Sequence, residues 1–178
     1  MTVAPPEFSR PVRIDILSDA PRSISVAADA AERAALAKRF DLQAVARLEA
    51  ELSLVRTGET VSANGRLRAE VTQSCVATGA PVEAALDEPF RILFSPAPQA
   101  GDGSDEGIEL SEEECDVVFY SGGAVDIGEA VAETLALSLD PWPRTLDAED
   151  TLKQAGVISE EEAGPFAGLA GLRDKLKK

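Results

Sequence analysis

Few side chains in this 178-residue chain could do chemistry, and Cys75 comes first among them. It lies in T-Q-S-C-V-A-T-G-A-P-V, residues 72–82, and is one of two cysteines. A thiol there has three readings: a nucleophile, part of a metal site, or a small apolar group packed beside a turn. Nucleophilic work needs a lowered pKa, supplied by a cation, an imidazole or a helix N-terminus. The chain has no histidine, and the local pattern puts Cys75 at a strand end, which favours the packed thiol. Lack of histidine also removes Ser-His-Asp and Cys-His catalysis and His-ligated zinc. Two thiolates cannot complete a four-ligand zinc site without carboxylates or a second chain. Cys115 sits in an acidic run that raises its pKa. Neither G-x-x-x-x-G-K-[ST] nor G-x-G-x-x-G occurs, so no phosphate loop is expected.

The carboxylates offer little more. Clusters at 102–116 and 160–162 lack the calcium-loop spacing and read as solvated charge. Glu129 and Glu133 fall one turn apart on a predicted helix, on a face expected to be exposed and without a pocket for acid–base work. No catalytic, cofactor-binding or metal-binding residue is expected. Basic side chains suited to a polyanion or an acidic partner are Arg10, Arg13 and Arg22, then Arg66 and Arg68 on a polar strand face. Arg173, Lys175, Lys177 and Lys178 follow at the tail, behind an apolar series of Phe166, Leu169 and Leu172. That tail pattern suits a helix laid in a partner's groove, or one folded back on its own domain.

Charge is unevenly placed. The net charge of −15 divides into zero over residues 1–70, −18 over 71–172 and +3 over 173–178. The middle section repels nucleic acid, because phosphate affinity depends on Lys and Arg displacing counterions. A protein partner with a basic surface is electrostatically easier. No apolar run approaches the ~20 residues of a membrane span. M-T-V-A-P-P-E-F-S-R lacks a basic and then apolar leader, so no signal peptide is expected. A cytoplasmic chain with reduced thiols is the expectation.

The elements that position these groups come from periodicity. Residues 11–17, 22–26, 46–56, 61–72 and 82–94 read as strands, as does V-V-F-Y at 117–120. Leu48, Ala50, Leu52 and Leu54 share one face of the third. Parity in the fourth puts Cys75 on the apolar face with Leu67 and Val71. Turns are expected at T-G-E-T (57–60) and T-G-A-P (78–81), and Pro89 marks a kink or an edge. D-A-A-E (29–32) and D-I-G-E (126–129) carry the capping-box pattern before helical runs. The second run lines up Ile127, Val131 and Leu135 and stops at D-P-W-P-R. A weaker helix is expected from 147 to 155. The whole is an α+β domain: an antiparallel sheet or partly open barrel with two capped helices and a short C-terminal amphipathic helix. Residues 1–144 form the domain, with an acidic mobile loop at 95–116; 145–178 form an acidic linker and the basic tail.

Three elements in order carry a resemblance: C-V-A-T-G-A-P-V, then D-I-x-x-x-V-x-E-x-L-x-L-x-L ending in P-W-P, then G-P-F-A-x-L-x-x-L with basic residues. Residues 65–178 resemble the bacterial YceD family of large ribosomal RNA subunit accumulation proteins. The resemblance implies a non-enzymatic factor for 23S ribosomal RNA accumulation and large-subunit assembly. With that role the expected partners are ribosomal RNA or assembly intermediates, which the acidic charge makes easier to reach through basic ribosomal proteins or assembly factors, and no small-molecule substrate is expected. Many family members carry C-x-x-C at the hairpin, where this chain has Thr78 as the second residue, so Cys75 is a remnant metal position at most. Two other classes stay open: a protein–protein adaptor unrelated to ribosomes, and a thiol-dependent enzyme using Cys75.

Overall fold

The computed structural model describes residues 6–97 and 116–157. Its strands are β1 (Pro11–Arg13), β2 (Arg22–Ala27), β3 (Ala44–Thr57), β4 (Thr60–Ser74), β5 (Pro81–Pro96), β6 (Asp116–Tyr120) and β7 (Ala124–Asp126). Its α-helices are α1 (Ala30–Arg39), α2 (Ile127–Ser138) and α3 (Ala148–Gln154). The fold is α+β, with an open five-stranded sheet in the order β2-β3-β4-β5-β6 and a two-stranded ribbon of β1 and β7. The tail residues Phe166, Leu169, Leu172, Arg173, Lys175, Lys177 and Lys178, Cys115 and most of the 95–116 loop lie outside the described residues.

The long β3–β4 hairpin follows from its alternation. Leu48, Ala50, Leu52 and Leu54 are buried, as are Val61, Ala63, Leu67, Ala69 and Val71 across the turn. The register runs from Thr57↔Thr60 to Ala44↔Thr72, with a bulge between Val45 and Arg47. Gly58 takes φ +63° at the turn, a conformation open to glycine at little cost. Gly65 serves a different purpose: a Cβ there would lie 2.6 Å from Leu52 Cβ and 2.8 Å from the Phe90 ring. The ring fills the space a side chain would need.

The described residues fall into two compact units, the first of 6–73, 83–97 and 116–141 and the second of 74–82 and 142–157. In the first, α2 buries Ile127, Val131 and Leu135 in the same cluster as the sheet's inner face and Leu36 of α1. α1 begins with a complete capping box: Asp29 accepts from the amides of Ala31 and Glu32, while Glu32 accepts from the Asp29 amide. In the second, α3 ends at Gly156 with φ +83°.

Two expectations are corrected by pairing. The strand expected over 11–17 stops at Arg13, because β7 offers only three partners, and Ile14–Ile16 turn as a 3-10 helix that leaves Ile16 half exposed. β6 runs parallel to β5, with Ile92↔Asp116 through Pro96↔Tyr120, so the sheet is mixed. A parallel neighbour needs a crossover of roughly a dozen residues or more, and 97–115 supplies that length. Pro89 precedes Ile92, where β6 pairing starts, so the outer side of β5 there has no strand partner among the described residues. That is where a proline, with no N–H to donate, costs least.

Candidate functional site

Arg66 and Arg68, the basic pair on the polar strand face, are placed opposite acids by the hairpin register. Arg47 faces Glu70, Glu49 faces Arg68 and Glu51 faces Arg66. Arg47 reaches Glu70 at 3.7 Å and Arg68 reaches Glu49 at 3.9 Å. Arg66 turns instead to Asp87 of β5, Nε to Oδ1 at 2.5 Å, and Arg68 approaches the same carboxylate at 3.7 Å. Hydrogen bonding to Arg66 holds the Asp87 carboxyl below the usual carboxylate range. Opposite charges directly across a ladder stabilise it only modestly when the pair is this exposed. A phosphate arriving at Arg66 or Arg68 would have to displace Asp87 or Glu49.

The earlier arginines are likewise engaged. Arg10 makes a two-pronged pair with Glu32, at 2.6 and 2.8 Å, and Arg13 pairs with Asp15. Arg22 donates to the Ile16 carbonyl at 3.4 Å. Arg39 bridges Glu7 and both oxygens of Glu129, at 2.7–3.0 Å. This overturns the expected exposed pair on α2: Glu129 is half-buried and ion-paired, while Glu133 is exposed. It also leaves the second capping box incomplete, because Glu129 does not reach back to the Asp126 amide.

Asp126 has other work. Its Oδ1 accepts from the Glu129 amide at 3.2 Å and the Arg10 amide at 2.7 Å, and its Oδ2 accepts from Ser9 Oγ at 2.5 Å. The segment before β1 is thereby tied across the start of α2, with Phe8 fully buried beneath it. Gly128 permits the approach, since a Cβ there would overlap the Phe8 carbonyl and lie 2.9 Å from the Arg10 amide nitrogen. The D-I-G-E signature therefore encodes a close crossing as well as a cap.

Cys75 is 3% exposed, yet it lies past the end of β4, in a turn of the second unit rather than on the strand's apolar face. Its amide donates to the Ala80 carbonyl and its own carbonyl accepts from Gly79, both at 2.8 Å, with Gly79 at φ +72°. The Val76 amide donates to the Pro143 carbonyl at 2.9 Å. The sulfur is ringed by donors. The Thr78 hydroxyl contributes most, followed by the Thr145 amide at 3.4 Å, with the Ala77 amide and the Thr145 hydroxyl, 3.6 Å away, behind it. Together they pull the thiol down to about 6.

The expectation that nothing nearby lowers this pKa is therefore overturned. Neutral donors do it without any cation, imidazole or helix end. Thr78 was in view from the sequence; Thr145, seventy positions away, had no signal to mark it. The surroundings do not fit a metal, because the sulfur's neighbours donate rather than ligate. Among the described residues no group of three or more His, Cys, Asp or Glu could hold one. No described helix is long and apolar enough to cross a membrane.

No curated protein and no solved structure matches the chain. A family model does: that of the large ribosomal RNA subunit accumulation protein YceD, over residues 63–173. The matched stretch takes in most of β4, the Cys75 turn, β5 to β7, the first two elements that suggested the resemblance and the third as far as Arg173, short of Lys175, Lys177 and Lys178. It covers more than half of the sequence, and the chain belongs to the YceD family.

Proposed function

We propose that this protein is a non-enzymatic factor that supports 23S ribosomal RNA accumulation and large-subunit assembly in the cytoplasm, and that it acts by binding. Membership of a family described by large ribosomal RNA accumulation carries the reading. Two features support binding over catalysis. Cys75 is shielded despite its low pKa, and of the α2 carboxylates Glu129 is ion-paired with Arg39 while Glu133 is exposed to solvent.

The partners are large-subunit intermediates, reached through basic ribosomal proteins or other assembly factors. The compensated arginines of β4 and the −18 charge of residues 71–172 favour protein contacts over broad contact with RNA. Direct RNA contact, where it occurs, falls to the tail cations Arg173, Lys175, Lys177 and Lys178, with Phe166, Leu169 and Leu172 as apolar anchors. The test is the ratio of 23S to 16S ribosomal RNA after gene deletion, with a sucrose-gradient profile. The expected result is a fall in 23S with loss of large subunits; an unchanged ratio and profile would remove the assembly role.

A further inference from the structure

We propose that the outer edge of β6 and the groove beside α2 bind an extended basic segment of a partner protein by strand addition. The inference rests on the binding role proposed above and names its surface and the chemistry of its partner. Among the described residues β6 pairs with β5 alone, and no strand lies on its other side. An open edge offers amide and carbonyl groups at fixed spacing, and proteins ordinarily blunt it with charge, proline or a bulge. β2, at the opposite edge, is blunted, with Arg22, Ser23 and Ser25 exposed. β6 reads D-V-V-F-Y, with neither lysine nor proline, and Phe119 is 53% exposed.

Beside that edge, α2 leaves a row unfilled. Val117, Val118, Ala130 and Leu137 border an open groove of about 220 Å³, with Asp116 and Glu133 also on its lining. Leu137 is 77% exposed, a large apolar side chain next to an unpaired strand. An added strand would place alternate side chains over this groove. Charge selects the occupant. Asp116 and Glu133 are both exposed, and the groove's lining carries no basic side chain. A second copy would bring like charges together, and RNA phosphate would be repelled. A segment alternating Lys or Arg with aliphatic residues meets both requirements.

The test uses the full chain and a fluorescent peptide alternating lysine and valine, with a glutamate–valine peptide and a backbone N-methylated lysine–valine peptide as controls. Saturable binding is expected for the first and none for the two controls. The double variant Glu133→Lys, Leu137→Lys changes two exposed side chains, so its melting curve should match the parent while peptide affinity falls at least about tenfold. Absence of binding, undiminished affinity of the variant, or equal binding of the N-methylated peptide would overturn the proposal. Self-association that the double variant abolishes would also overturn it, assigning the edge to a second copy. Complementation separates this proposal from the role it rests on. If deletion lowers 23S and the double variant restores it fully, the role stands and this surface falls. If deletion leaves 23S unchanged, the role falls, and the peptide experiment still decides the surface.

Discussion

Replacing Asp126 by alanine should cost about 3 kcal/mol of stability, far more than loss of an ordinary helix cap. One carboxylate accepts from Glu129 N, Arg10 N and Ser9 Oγ. The cap alone is worth about 1 kcal/mol. Each further bond to a charged acceptor adds ~1.5 kcal/mol at the low end of its range. Asp126 is half-buried, so water can replace part of what is lost, which brings the sum down to about 3 kcal/mol. With an m-value of about 2 kcal/mol per M, the urea midpoint read by far-UV circular dichroism should fall by roughly 1.5 M. Asp126→Asn is the informative partner. Its amide oxygen can keep both backbone donors, and Ser9 can rotate to accept from the amide nitrogen, so its midpoint should fall by no more than about 0.5 M. An alanine variant indistinguishable from the parent, or an asparagine variant as damaged as alanine, would refute the view that this side chain ties the N-terminal segment to α2.

Other expectations follow from neighbouring contacts. Gly128→Ala should destabilise by about 2 kcal/mol in thermal melts, against the ~1 kcal/mol gain that alanine brings to an open helix position, because the new Cβ meets backbone that cannot yield. Cys75 should make stability pH-dependent. Its folded pKa is about 6 against an ordinary value of 9.0, so the unfolded chain binds more protons between those limits. The parent should therefore gain stability over Cys75→Ser as pH rises from about 6 to 9, and lose that advantage as pH falls through 6; paired urea titrations that stay parallel across the window would contradict the donor ring. Arg68→Ala should change stability by less than about 0.5 kcal/mol, since its ion pairs are exposed and long, and a larger loss in urea titration would show the ladder to be stronger than its geometry.

What the sequence determined by itself was local. Alternation placed Leu48, Leu52, Val61 and Leu67 in the core, and T-G-E-T set the hairpin turn that fixed their register. Asp29 and Glu32 announced α1, and the prolines of D-P-W-P-R bounded α2. Each signal rests on residues within a turn or two of one another, where backbone geometry alone decides which groups meet. The pairing of Arg68 with Glu49 was legible in principle from the hairpin register; that of Arg66 with Asp87 required knowing that β5 lies beside β4. The titration of Cys75 was not legible, because one of its main donors arrives from Thr145. Nor was the second use of Asp126, whose partners Ser9 and Arg10 lie more than a hundred residues away. Tertiary structure decided these because a charge or a proton answers to whatever atoms lie within a few ångströms, and periodicity along a chain specifies faces without specifying neighbours.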